Sequence, residues 1–267
     1  MKKIKFVAVI LVYRNIEDLI ECIESFYENL KECKIVIVNA YYDEFTKTKI
    51  EEIAKKYDCD FINIENKGYS YGNNYGINYV NEHYEYKYII ISNPDIVIKK
   101  FEDISLSKAD IIAPKIIAKS GKNQNPMYVC DNRFSEYFIY RGFKYNISFL
   151  IFIGIGINKI LREGCICVNR FFNRNEYKIY VAHGSFLFLS KKCISELDGE
   201  PYDENMFLFS EECVLAYKAK KKDLVTIYTE SVEVSHKEDG SMKLSGFSIN
   251  NMLKDSNIYF YENYRMK

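Results

Sequence analysis

The stretch YKYIIISNPDIVIKK, residues 86–100, decides how this chain is read. Ile89–Ile91 and Ile96–Ile98 are β-branched runs of the kind that fill buried strands. Between them stand Asn93, Pro94 and Asp95. Proline brings no N–H to a sheet ladder, and a carboxylate in an apolar run is costly without a partner. Two readings are open. A strand end closed by an Asx turn uses Pro and Asp routinely. Alternatively, Asp95 presents a hard oxygen ligand from a rigid strand end, as suits Mg²⁺ or Mn²⁺ held against a diphosphate.

Upstream, the hydrophobic period alternates between two and 3.6. Strands are expected at Phe6–Val12, Lys34–Val38, Cys59–Ile64 and Tyr88–Ile91, with helices at Ile16–Leu30, Thr46–Tyr57 and residues 70–84 between them. This βαβαβαβ order predicts an α/β fold, a Rossmann-like, mostly parallel sheet with helices on both faces. Ligands of such sheets bind beyond the carboxyl ends of the strands, where Asn93–Asp95 falls.

Downstream the pattern is less regular. Residues 110–117 read as a strand, and 118–135 are polar and turn-rich. Ser148–Ile157 is strongly apolar and expected in the core, and strands are expected at 164–169 and 180–189. In the first of these, Cys165 and Cys167 would share one face of the strand. A helix opens near residue 190, another runs over Ser210–Lys221, a strand ends at His236, and Ile249–Tyr264 is helical. With no repeat or linker, residues 1–267 read as one domain: a ligand-binding half (1–100), a second half (101–240) with an irregular excursion at about 118–180, and a helical tail (241–267).

Composition narrows the function classes. Lys plus Arg and Asp plus Glu both total 37, so no basic field argues for nucleic acid. The eight cysteines contain no C-x-x-C and no zinc-like spacing, which reads as a reduced, cytoplasmic protein with buried thiols. The opening MKKIKFVAVILVYRN has no small-residue cleavage site and reads as the first strand rather than a signal peptide. No segment reaches about 18 uninterrupted apolar residues.

Three further segments could carry chemistry, and each also has a plain structural reading. Gly68, Gly72 and Gly76 recur every four residues in NIENKGYSYGNNYGINYV, residues 63–80. They either pack a helix closely on a sheet or let backbone approach an anion at the helix N-terminus, with Asn66, Asn73 and Asn74 as polar contacts. Glu211 and Glu212 open a helix with Ser210 as candidate N-cap. They either complement its macrodipole or supply a general base. His236 ends a strand, where a histidine is more often structural than a ligand; His83 and His183 read as structural too.

Taken in order, these motifs resemble the family 2 glycosyltransferases with the GT-A fold, most closely their rhamnosyltransferase-like branch. VILVYRN matches the family's first strand and turn through Tyr13 and Asn15, and NKGYSYGNNYGI matches its Asn-x-Gly-Tyr and Gly-Asn-Asn-x-Gly segment. Asn93-Pro94-Asp95 stands in for the Asp-x-Asp metal motif. HGSFLFL, DENMFLFSEEC and VSHKEDGS, the last with Ser241, follow in the family's order. The match covers about residues 5–100 and 180–240.

The resemblance implies an inverting, metal-assisted transfer from a nucleotide-diphospho sugar, with dTDP-rhamnose the first guess. The acceptor would be a hydroxyl of a surface-polysaccharide or lipid-linked glycan. It implies that Tyr13, Asn15 and Asn39 serve the nucleotide, that Asp95 and His236 hold Mg²⁺ or Mn²⁺ with Asn93 in support, and that Gly184 and Ser185 lie on the acceptor side. Glu212, beside Glu211, would be the base. Three positions depart from the pattern: Asn39 replaces an expected Asp unless Asp43 substitutes, Glu212 replaces Asp, and Val214 replaces a second carboxylate. A non-catalytic relative acting as a binding or assembly subunit, or a sugar-phosphate nucleotidyltransferase, are the alternatives. ISFLIFIGIGINKILR, outside the match, reads as buried core or as a peripheral contact with the inner face of the plasma membrane, with Lys159 and Arg162 near phosphate.

Overall fold

The apolar runs of the first half are nearly continuous because both faces of their strands are covered. In the computed structural model, which describes residues 2–102, 109–238 and 249–266, these runs form β1 (Lys2–Val12), β2 (Cys33–Ala40), β3 (Asp60–Ile64) and β4 (Tyr84–Ser92). They are connected by α1 (Glu17–Asn29), α2 (Glu44–Lys56) and α3 (Tyr69–His83). All four strands are parallel, in the order β3-β2-β1-β4. Period-two alternation sends Phe6, Ala8 and Ile10 toward Leu19 and Phe26 of α1, and Val7 and Val9 toward Ile77 of α3. At α3 the small-residue reading holds for two glycines. A methyl on Gly72 would lie 2.5 Å from Leu11 Cδ1, and one on Gly76 2.4 Å from Val9 Cγ1.

After Ser92 the chain leaves the middle of the sheet, and the two Ile runs of the opening stretch become separate strands. The second half supplies β5 (Ile96–Phe101), β6 (Ile111–Ala118), α4 (Arg133–Tyr145), α5 (Ser148–Phe171), β7 (Glu176–Lys178) and β8 (Phe186–Ser190). These are followed by α6 (Lys191–Glu196), α7 (Glu211–Lys221), β9 (Thr226–His236) and α8 (Ile249–Phe260), which continues as a π-helical turn, Tyr261–Arg265. The full sheet runs β3-β2-β1-β4-β8-β6-β9-β5, with β7 also paired to β9. β8 is antiparallel to both β4 and β6 and joins the two parallel groups. β5 lies at the far edge, antiparallel to β9, with Ile96 opposite His236.

Two expectations are corrected. Residues 164–169 are not a strand but the last turns of α5, so Cys165 and Cys167 lie about 200° apart around a helix. So short a run satisfies both periods, and here the helix prevails because α5 folds back on α4. Asn146, left-handed at φ 56°, closes α4. Ser135 Oγ then donates to Gly154 O at 2.7 Å, an approach so tight that a methyl on Gly154 would lie 2.6 Å from Ser135 O. Nor is this stretch core: only Gly154 and Asn169 of α5 are buried. The C-terminal turn is tied down by Arg265, which bonds Asp131 (2.8 Å), Glu136 (2.7 Å) and the Tyr180 hydroxyl (2.8 Å).

Candidate active site

Two groups of side chains meet beyond the carboxyl ends of the strands. The first is built by the register of β5 on β9. Asp95, only 2% exposed, precedes Ile96, and its Oδ2 lies 3.3 Å from His236 Nε2. The Lys237 N–H donates to Asp95 O (3.1 Å), and the Asn93 N–H to Ser185 O (2.8 Å), which fixes the turn from both sides. His236 Nδ1 is 2.8 Å from Gln124 Oε1, and Gln124 Nε2 donates to Glu238 Oε1 at 3.0 Å. A carboxylate can only accept, so the glutamine amide is oriented, its oxygen takes the Nδ1 proton, and His236 turns Nε2 toward Asp95. Nε2 and the carboxylate oxygen, 3.3 Å apart, are placed to share a proton or to hold a cation.

His183, read from sequence as structural, belongs to this group. Its ring centroid is 5.8 Å from that of His236, and its Nδ1 is 2.9 Å from Ser185 Oγ. Burial pushes its pKa down to about 4, with His236 adding to the effect, so it is neutral at pH 7. Arg162 of α5 also disfavours its protonation; that guanidinium donates to Asn123 O, and its Nε has no partner among the described residues.

The second group centres on α7. Phe209 and Ser210 are both left-handed, at φ 72° and 62°, conformations costing about 1–3 kcal/mol each outside glycine. Ser210 occupies the N-cap position but its hydroxyl makes no cap bond, so only half of that expectation holds. The strained entry delivers Glu212 to Gly184, whose N–H it accepts at 3.3 Å, and a methyl on Gly184 would lie 2.8 Å from Glu212 Oε1. Burial raises the pKa of Glu212. Burial and then the charge of Glu212 raise that of Glu211 well above the carboxylate range, and Glu211 Oε2 has no partner among the described residues. Gly68, at φ 100°, lets the preceding loop meet the start of α3: a side chain there would strike Phe207 O at 2.4 Å. The Tyr69 N–H bonds that same carbonyl (2.7 Å), and the Tyr69 hydroxyl donates to Gly184 O (2.8 Å). His183–Ser185 therefore joins the two groups.

The remaining expected residues divide. Asn39 ends β2 fully buried; its amide donates to Asn63 Oδ1 (2.7 Å), and its own Oδ1 has no partner among the described residues. Nearby, Tyr13 meets Tyr42 edge-on at 5.9 Å, with Arg14 4.0 Å over the Tyr42 ring. Asn66 Oδ1 accepts the Gly68 N–H at 3.2 Å. Asn15 is engaged with Asp18 at the start of α1 (2.8 Å). Asp43, the possible substitute for the missing carboxylate, caps α2 with Oδ1 accepting the Thr46 N–H at 2.7 Å. Asn73 and Asn74 lie in α3, and Asn73 Oδ1, like that of Asn39, has no partner among the described residues. Both are fully buried, the first bonding Tyr69 O (3.0 Å), the second bracing Tyr202 through its N–H (3.2 Å) and carbonyl (3.1 Å). Ser241 lies outside the described residues.

No protein-family model matches the sequence, and no curated protein matches it. Solved structures do. GalNAc-T7, crystallised with UDP, GalNAc and Mn²⁺, superposes with a TM-score of 0.64 at 12% identity, over 97% of this chain and 48% of that one. S. aureus TarS superposes with a TM-score of 0.55 at 11% identity, over 87% of this chain and 36% of that one. This is a GT-A fold. TarS residues 1–349 in complex with UDP-GlcNAc give a TM-score of 0.51 at 11% identity, over 91% and 62%. The GT-A unit seen here thus spans about half the length of GalNAc-T7 and about a third of TarS.

Proposed function

We propose that the chain is a glycosyltransferase that moves a sugar from a nucleotide-diphospho donor to an acceptor hydroxyl with inversion. The observation that carries this reading is the Asp95–His236 pair, a carboxylate oxygen and a ring nitrogen held 3.3 Å apart at the strand ends, with the ring oriented by Gln124. Among the described residues no three His, Cys, Asp or Glu side chains converge as a closed metal cage. A two-donor set fits Mg²⁺ or Mn²⁺, which is commonly held by one or two protein ligands plus substrate phosphates. When bound there, the cation would neutralise charge on the leaving nucleoside diphosphate.

The protein residues supply the rest. Tyr13, Asn15, Asn39, Asn66 and Gly68 form the nucleotide end in residues 1–100, and the unpartnered Asn39 carbonyl is suited to a base N–H. Asn93 supports Asp95, and the unpartnered Arg162 Nε–H faces diphosphate charge. Gly184 and Ser185 hold the acceptor. Glu212 takes the hydroxyl proton as the new C–O bond forms and the sugar–phosphate bond breaks on the opposite face. Burial raises its pKa, the direction that strengthens a carboxylate as a base. Solved neighbours with UDP or UDP-GlcNAc support a nucleotide-sugar donor; we take dTDP-rhamnose as the first sugar to test, with a surface or lipid-linked glycan as acceptor in the cytoplasm.

A thermal-shift screen of nucleotide sugars, with and without Mn²⁺, tests the reading, since a ligand bound only by the folded state raises Tm. The expected result is a Mn²⁺-dependent shift lost in Asp95→Ala, together with sugar transfer lost in Glu212→Gln. Donor binding without transfer across an acceptor panel would favour a non-catalytic binding subunit. The fully buried Val214, at the position of a lost carboxylate, favours that second reading. No shift with any donor overturns both.

A further inference from the structure

The feature that the proposed chemistry leaves unused is the exposed face of the α4–α5 hairpin. Phe149, Phe152, Ile160 and Phe171 of α5 are 71%, 71%, 74% and 80% exposed, and Phe134 at the start of α4 is 73% exposed. Phe149, Ile160 and Phe171 recur every eleven residues, three helical turns, and so form one stripe about 33 Å long. Lys159 and Arg170 repeat with the same spacing, one position earlier, and make a parallel line of cations beside it.

We propose that this hairpin seats the protein on an anionic lipid surface. The charge on the hairpin selects that occupant. α4 and α5 carry six Lys and Arg against two Glu, in a chain whose totals are 37 and 37. One of the two acids, Glu136, is buried against Arg265, which leaves Glu163 as the exposed one. Apolar side chains beside Lys and Arg are the signature of a helix lying in the interface. A second copy of this chain would fit poorly, because a two-fold contact sets a patch against itself and would oppose like charges. The stripe does not cross the bilayer: no described helix is long and apolar enough.

Position supports the same occupant. Asn158 of α5 donates to Met127 O (3.0 Å), and Arg162 to Asn123 O, beside the Gln124 that orients His236. The helix that bears the stripe thus packs on the rim of the candidate active site through its opposite face. This inference rests on the transferase reading for its purpose, presentation of a lipid-linked acceptor, but not for its measurement.

The test is flotation of the full chain, without donor, on vesicles of equal parts phosphatidylglycerol and phosphatidylcholine and on phosphatidylcholine alone. Wild type should float with the anionic vesicles and at least about tenfold less with the neutral ones. The variant Phe149→Ser/Ile160→Ser/Phe171→Ser should lose at least about tenfold in partitioning. The variant Lys159→Gln/Arg170→Gln should lose it on anionic vesicles only, by about fivefold per cation. All five positions are exposed, so the variants should keep the wild-type Tm and any donor-induced shift. Equal flotation of wild type and the serine variant overturns the proposal. So does a concentration-dependent dimer that the serine variant abolishes while vesicles are ignored. Vesicle binding without any donor-induced shift would leave this inference standing and remove the transferase reading.

Discussion

At the scale of single residues, the candidate site divides by how its members are held. Asp95, His236 and Glu212 were legible in the sequence because each closes or opens a regular element, at a strand end or a helix start, where chemistry-bearing residues interrupt a pattern. Gln124 was not legible, and the places of His183, read as structural, and Arg162, read as near phosphate at a membrane contact, were legible only in part. Each gains its place through partners far along the chain, as Gln124 does with His236 across 112 positions. Their importance predicts a measurable asymmetry. Gln124→Leu removes no ligand, yet it should weaken Mn²⁺ affinity about 10–100-fold by freeing the His236 ring, as titration calorimetry would show. Glu212→Gln should lower kcat by about 10²–10⁴-fold while leaving the donor-induced thermal shift in place. A variant that lost both together would move Glu212 from base to donor binding.

At the scale of elements, the β/α half followed its hydrophobic period closely, with boundaries off by a few residues. The failure at 164–169 came from a short run, GCICVN, too short for its period to separate strand from helix. The partner of α5, α4, decided the outcome through a contact at Gly154 that only the fold reveals. The Gly68, Gly72 and Gly76 series shows the same limit from the other side, since one spacing covers two jobs. Gly76→Ala would press a methyl 2.4 Å from Val9 Cγ1 in the core and should cost about 1–3 kcal/mol in urea unfolding, with donor binding otherwise intact. Gly68→Ala meets backbone rather than side chain, at Phe207 O, and must also hold φ at 100°. It should therefore displace the loop leading to Glu212 and reduce transfer more than stability.

At the scale of the whole molecule, the buried acidic pair makes stability depend on pH in an unusual sense. The folded protein holds Glu211 with a pKa above the unfolded value, because burial and the adjacent Glu212 oppose its charge. Between the ordinary carboxylate pKa of 4.5 and the raised folded value, the native state binds more protons than the unfolded one, so stability falls as pH rises. Glu211→Gln should remove this loss. Its Tm should exceed the wild-type value at pH 8 by a few degrees, on the order of 3 °C, and by less at pH 5. A gain independent of pH would point to packing instead.

The pairing of β5 with β9 has one more consequence, and it concerns time. Asp95 and His236 become neighbours only when an outer strand from the first half of the chain meets one made near its end. During synthesis, at about 5–20 residues per second, the 141 positions between them take on the order of ten seconds to emerge. For that interval the βαβ half can already be folded on the ribosome, with its nucleotide end formed, while the cation pair does not yet exist. If the proposed transferase reading holds, a nascent chain would hold a nucleotide before it can discharge a sugar, and catalytic competence would arrive only as the last strand docks.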